Sequence, residues 1–203
     1  MKYLFVIVTL FTGYYAFGQV PTTGVYNGVA TVTIFRNEQT KTIYGNFNTC
    51  LHDGHDCCAF NFKGEYKAIK DKKIKITTSW PDDSAAIKGS IIIQSDTSFT
   101  IKLKHLPLGS TACTGLDKDG YEAKLVQKEN WLGINMAKSR KTFFYAEPDV
   151  NKRMQAYITV YDIVGILEYS GEWVKAEYVN YNLKRPVTIS GWIKKADLFT
   201  NAF

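Results

Sequence analysis

Residues 169–198 read YSGEWVKAEYVNYNLKRPVTISGWIKKADL. Ser170-Gly171 marks a turn, and Trp173-Val174-Lys175-Ala176-Glu177-Tyr178 then alternates with a period of two. In an extended chain this pattern puts Val174, Ala176 and Tyr178 on one face and Trp173, Lys175 and Glu177 on the other. A polar connection follows, and Gly191-Trp192-Ile193 closes the unit ahead of Asp197-Leu198. The stretch therefore predicts a half-buried antiparallel strand pair in an all-β module.

Upstream, the same unit continues through Phe143-Phe144-Tyr145-Ala146-Glu147-Pro148, Gln155-Ala156-Tyr157-Ile158 and Asp162-Ile163-Val164. In this order and spacing, together with Trp173-Val174-Lys175 and Gly191-Trp192-Ile193, the last third of the chain (residues 137–203) resembles a bacterial SH3 (SH3b) domain. The resemblance implies a small, strongly bent SH3-like β-barrel, used as a binding module on cell-envelope proteins and often directed at peptidoglycan. Lys194 and Asp197 stand where proline-reading relatives keep a Pro and a groove Tyr, so the resemblance does not extend to polyproline recognition.

The chain begins Met1-Lys2, runs apolar from Tyr3 to Phe11, and reaches Ala16-Phe17-Gly18. A basic start, a short apolar centre and small residues at −3 and −1 predict a signal peptide over residues 1–18, cleaved before Gln19. The run is short for a membrane span, so the mature chain is expected to have none and to be periplasmic or secreted. The full chain of 203 residues carries a net charge of +6, and loss of Lys2 leaves it slightly less basic. That excess suits anionic envelope partners and also serves ordinary solubility. Its lysines are spread among strands and turns rather than clustered, which excludes a nucleic-acid reading.

Between the leader and residue 128, short strands recur every eight to twelve residues. Tyr (13), Phe (12) and Trp (4) are abundant and only 5 prolines interrupt the chain, which favours β structure with a sizeable core. One strand is expected from Gly24 to Ile34, a return strand from Thr42 to Phe47, and a polar loop over Thr49–Cys58. Further strands are expected at Ala59–Ile69, from Ile74 toward Trp80, at Ile87–Gln94 and Ser98–Leu106 as a hairpin, and at Tyr121–Val126. Residues 19–128 thus predict an all-β domain, an antiparallel sandwich or barrel of lipocalin-like shape by analogy. The stretch 128–140 is expected to link the two domains, with Trp131 and Ile134 packing at the junction.

All four cysteines, Cys50, Cys57, Cys58 and Cys113, fall in this first domain. An even count in an exported chain predicts two disulfides, pairing Cys50–Cys57 with Cys58–Cys113 or Cys50–Cys58 with Cys57–Cys113. A direct Cys57–Cys58 bridge would strain the peptide between them. A bridge closing some fifty residues is worth about 3–4 kcal/mol.

Leu51, His52, Asp53, His55 and Asp56 form a polar loop suited to plugging a protein partner. His52, His55 and Asp56 are the candidates for sharing a cation, at a spacing that matches no established ligand pattern, and no metal or cofactor is expected. Bridged cysteines provide no thiolate nucleophile, and HExxH, G-x-S-x-G and Ser-x-x-Lys are all missing from the chain, so the expectation is a non-enzyme. In the second domain Trp173 lies opposite the core row, and with Tyr145, Tyr157, Tyr161 and the nearby Glu147 it forms the expected ligand surface. Two functions fit: an envelope-binding protein that holds peptidoglycan or a peptide, and a periplasmic immunity protein or inhibitor that blocks a secreted toxin or cell-wall hydrolase.

Overall fold

The computed structural model describes residues 19–28, 30–51, 56–80, 86–107, 111–180 and 187–199. Residues 1–18, expected to be a signal peptide, and His52, Asp53 and His55 lie outside the described residues.

Eight strands, β1 (Gly24–Gly28), β2 (Thr31–Asn37), β3 (Thr42–Leu51), β4 (Asp56–Glu65), β5 (Lys73–Ser79), β6 (Lys88–Ser95), β7 (Ser98–Leu103) and β8 (Tyr121–Lys128), follow one another as neighbours. Antiparallel pairing of β1 with β8 closes them into a barrel. Of the two arrangements expected from the strand spacing, the barrel is the one formed. Alternation drives it: β5 (KIKITTS) buries every second residue, and β7 (SFTIKL) does the same. The inward residues are large. Tyr26, Phe47, Phe60, Phe62 and Phe99 are fully buried, and Phe60 packs against Phe47, Phe62 and Trp80 with ring centroids 4.6–6.4 Å apart. Each such ring contributes about 1.5–3 kcal/mol through burial. Gly45 leaves the space for one of them, because a Cβ there would sit 2.0 Å from the Phe62 ring.

Two local expectations are corrected. The single strand expected over Gly24–Ile34 is the hairpin β1–β2, in register Gly24↔Ile34 to Asn27↔Thr31. Asn27 makes the last pair of that ladder, with Thr31, and its side chain accepts the Gly28 N–H at 2.9 Å at the end of β1. The loop expected over Thr49–Cys58 is mostly strand: β3 and β4 stay paired from Thr42↔Glu65 to Leu51↔Asp56. Ten continuous ladder pairs outweigh the polarity that argued for a loop.

That register also selects between the two disulfide patterns. Cys50 and Cys57 face each other across the hairpin and are bridged, while Cys58 is bridged to Cys113. Successive residues of a strand point to opposite faces, so Cys57 is exposed and Cys58 is buried beside the equally buried Cys113. Paired cysteines of this kind point to an oxidising, extracytoplasmic compartment.

A second sheet follows, built of β9 (Gly133–Met136), β10 (Thr142–Tyr145), β11 (Arg153–Ile158), β12 (Ile163–Ser170), β13 (Trp173–Asn180) and β14 (Val187–Lys194), in the order β11-β10-β14-β13-β12-β9. The stretch expected to be linker therefore contributes β9, which pairs with β12. Bulges interrupt the β10–β11 and β12–β13 ladders and bend the sheet. Its own core is mainly aliphatic: Val164, Ile166, Val174, Ala176, Ile193 and Leu198 surround Phe144. As the alternation predicted, Val174 and Ala176 are buried, and Tyr178 packs beside them.

The two units meet through Val25, Trp131 and Ile134, with Phe35, Tyr44, Ile163 and Leu167 packed around them. Gly165 is the close-approach point, where an added Cβ would lie 2.1–2.3 Å from the Trp131 ring. Among the described residues no helix is long and apolar enough to cross a membrane, a statement about helices only.

Candidate functional site

The outer face of the second sheet carries aromatic rings interleaved with cations. Trp173 and Lys194 are cross-strand partners, as are Tyr145 and Trp192. Tyr145 meets Trp173 edge to face at 4.9 Å, and the Lys194 ammonium lies 5.9 Å and 5.7 Å above the two rings. Toward the sheet edge, Phe143 and Tyr157 are opposite each other on β10 and β11 with centroids 5.7 Å apart. The Arg153 guanidinium covers Phe143 at 4.7 Å and Lys141 covers Tyr157 at 4.6 Å. Each cation over a ring is worth about 0.5–1 kcal/mol at an exposed site. Such a face offers stacking area and positive charge together.

A second feature lies where the units meet. Along the outside of the barrel, β2 and β3 pass from an apolar pair, Phe35 stacked on Tyr44, to a polar ladder of Thr33↔Asn46 and Thr31↔Asn48. The apolar end holds the second sheet. The polar end forms one wall of a cleft of about 390 Å³, whose other wall includes Tyr161, Asp162, Glu177, Tyr178 and Asn180. Asp162 accepts bonds from Thr159 N and Oγ1 at 2.7 and 2.9 Å and from the Tyr178 hydroxyl at 3.3 Å. Burial and then the Asp162 charge push the Tyr178 hydroxyl up to about 12. Partial burial and then the Glu177 charge raise Glu129 above the ordinary carboxylate value. Glu177 accepts the Trp131 indole N–H at 3.4 Å.

The residues singled out from the sequence are not all brought together. Trp173 and Tyr145 are adjacent, Trp173 half-buried and Tyr145 buried under it. Tyr157 is exposed and belongs to the neighbouring Phe143 pair. Tyr161 is elsewhere, at the cleft, held at φ 73° and stacked on Phe199 at 6.2 Å. Glu147 is exposed on the turn after β10, where its carbonyl accepts the Asp149 N–H.

On the barrel, Leu51 ends β3 and is 42% exposed. Asp56 begins β4, and its carboxylate accepts from the Thr111 hydroxyl and, at 3.1 Å, the Ala112 N–H, which ties it to the segment bearing Cys113. Lys141, Arg153 and Lys194 were missed. Their relevance depends on cross-strand register, which periodicity alone does not report.

No protein-family model matches the chain, and no curated protein or solved structure matches it either.

Proposed function

We propose that the protein is an exported, non-catalytic binding protein of the cell envelope. In this reading strands β10–β14 act as an SH3b-like module that holds peptidoglycan or a peptide derived from it. The observation that carries the reading is Lys194 seated over both Tyr145 and Trp173, next to the similarly built Phe143–Tyr157 pair. Sugar rings and flat peptide segments stack on aromatic faces, and peptidoglycan stems carry carboxylates that the neighbouring cations pair with. Oxidation of all four thiols, two of them in the barrel core, supports binding rather than nucleophilic chemistry.

Retention of the protein on purified sacculi tests this. Trp173→Ala is expected to lower retention at least tenfold while the protein keeps its far-UV spectrum. Undiminished retention would remove the aromatic face from the function.

A second reading, a periplasmic immunity protein or inhibitor of a secreted toxin or hydrolase, draws on the β3–β4 hairpin. Clamped by Cys50–Cys57, it carries the exposed Leu51 at its end. Tight one-to-one capture of a secreted hydrolase, abolished by Leu51→Asp and accompanied by no sacculus retention, favours it over the first.

A further inference from the structure

We propose that the cleft between the barrel and the second sheet is a separate binding site for a small, uncharged, polyhydroxylated ligand, a saccharide of one or two rings. The inference does not rest on the function proposed for the outer face. At about 390 Å³ the cleft lies in the range of small-molecule sites, roughly 300–1,000 Å³.

The cleft wall carries uncharged polar groups where the first half of β5 carries charge. Strand β5 turns lysines outward at Lys73 and Lys75, whereas the cleft wall sets Thr31 across from Asn48 and Thr33 across from Asn46. Hydroxyl and carboxamide groups both donate and accept, which matches the mixed demands of vicinal sugar hydroxyls. The wall is stiffened from behind. Asn46 Nδ2 donates to Asn61 Oδ1 at 3.1 Å and to the Phe60 carbonyl at 3.3 Å, and Cys50, also on the wall, is bridged to Cys57.

The charged groups on the cleft among the described residues are Asp162 and Glu177. Carboxylates accept short bonds from hydroxyls and repel anions. A protein of net charge +6 thus presents here a surface that disfavours the anionic partners its outer sheet face attracts. Asp162 is held in place by Thr159 and Tyr178. Beside it, Tyr161 adopts a left-handed conformation that costs a β-carbon residue about 1–3 kcal/mol, a strain often found where a ligand is gripped.

Titration of the full mature protein with cellobiose, followed by amide chemical shifts, tests the assignment. Cellobiouronic acid, which differs by one carboxylate, and spermidine serve as counter-probes. Cellobiose is expected to give saturable shifts clustered on β2, β3 and residues 161–162 and 177–180. Asn48→Ala and Thr31→Val, at surface-accessible positions that keep the strands intact, are expected to weaken it at least fivefold. Cellobiouronic acid is expected to bind more weakly than cellobiose. Lack of saturation with cellobiose, shifts clustered away from the cleft, unchanged affinity in both variants, or binding of spermidine alone would each overturn the proposal. The titration contains no sacculi, so its failure and a failure of sacculus retention are separate results.

Discussion

The barrel and the second sheet spend their aromatic residues in opposite ways. In the barrel, Tyr26, Phe47, Phe60, Phe62 and Phe99 fill the interior, and the outward positions of a strand such as β5 are polar: Lys73, Lys75, Thr77 and Ser79. In the second sheet the core is mainly aliphatic and the rings of Phe143, Tyr157 and Trp173 stand outside it under Lys and Arg side chains. Closure explains the difference. Eight strands enclose a volume that only large side chains fill, whereas the second sheet needs a thinner core and leaves its other face available. Aromatic richness is thus a stability device in one unit and a candidate contact surface in the other.

Truncation breaks or sharpens this contrast most directly. Phe60→Ala is expected to destabilise the protein by about 3–5 kcal/mol, since a cavity opens among Phe47, Phe62 and Trp80. Phe143→Ala, outside the core, is expected to cost less than about 1 kcal/mol. Urea unfolding of the two variants measures both, and equal costs would abolish the contrast.

Next in size is the Cys58–Cys113 bridge, which closes a separation of 55 residues. The double variant Cys58→Ser/Cys113→Ser is expected to lose about 3–4 kcal/mol, with the loss confined to the barrel. Hydrogen exchange that rises equally in both units would show them to be one cooperative block.

Smaller effects probe the junction. Gly165→Ala drives a methyl into the Trp131 ring and is expected to cost about 1–3 kcal/mol, separating a single thermal transition into two. A single, unshifted transition would mean that the interface adds nothing to stability.

The smallest effect is electrostatic. Glu129 is raised from its ordinary value of 4.5 by burial and by Glu177, so the folded state holds its proton more tightly than the unfolded state does. That contribution is complete below about pH 4.5 and is lost as pH rises through the raised value. Glu129→Gln is therefore expected to raise the melting temperature slightly at pH 7 and leave it unchanged at pH 3. A gain at pH 3 equal to that at pH 7 would contradict the cause.

Much of this was legible in the chain. Alternation at Trp173–Tyr178 assigned the core row Val174/Ala176 and the outward Trp173, because a two-residue period leaves only one choice of face. Where local signals competed, reading was harder. The break between β1 and β2 was masked by the apolar residues around it, and the polarity of Thr49–Cys58 concealed strands held by their partners. The contacts of Lys194, Lys141 and Arg153 depend on which residue of one strand lies opposite which residue of the next.

By itself the sequence determined the all-β class, the presence of two disulfides and the outward placing of Trp173 opposite the Val174/Ala176 row. These follow from composition, cysteine count and period, all of which are properties of neighbours along the chain. Tertiary structure alone decided barrel over sandwich, Cys50–Cys57 over Cys50–Cys58, the placing of β9 beside β12, and the cleft between the units. Each depends on the register and closure of residues distant in sequence, where hydrogen-bond pairing and packing, rather than local preference, set the outcome.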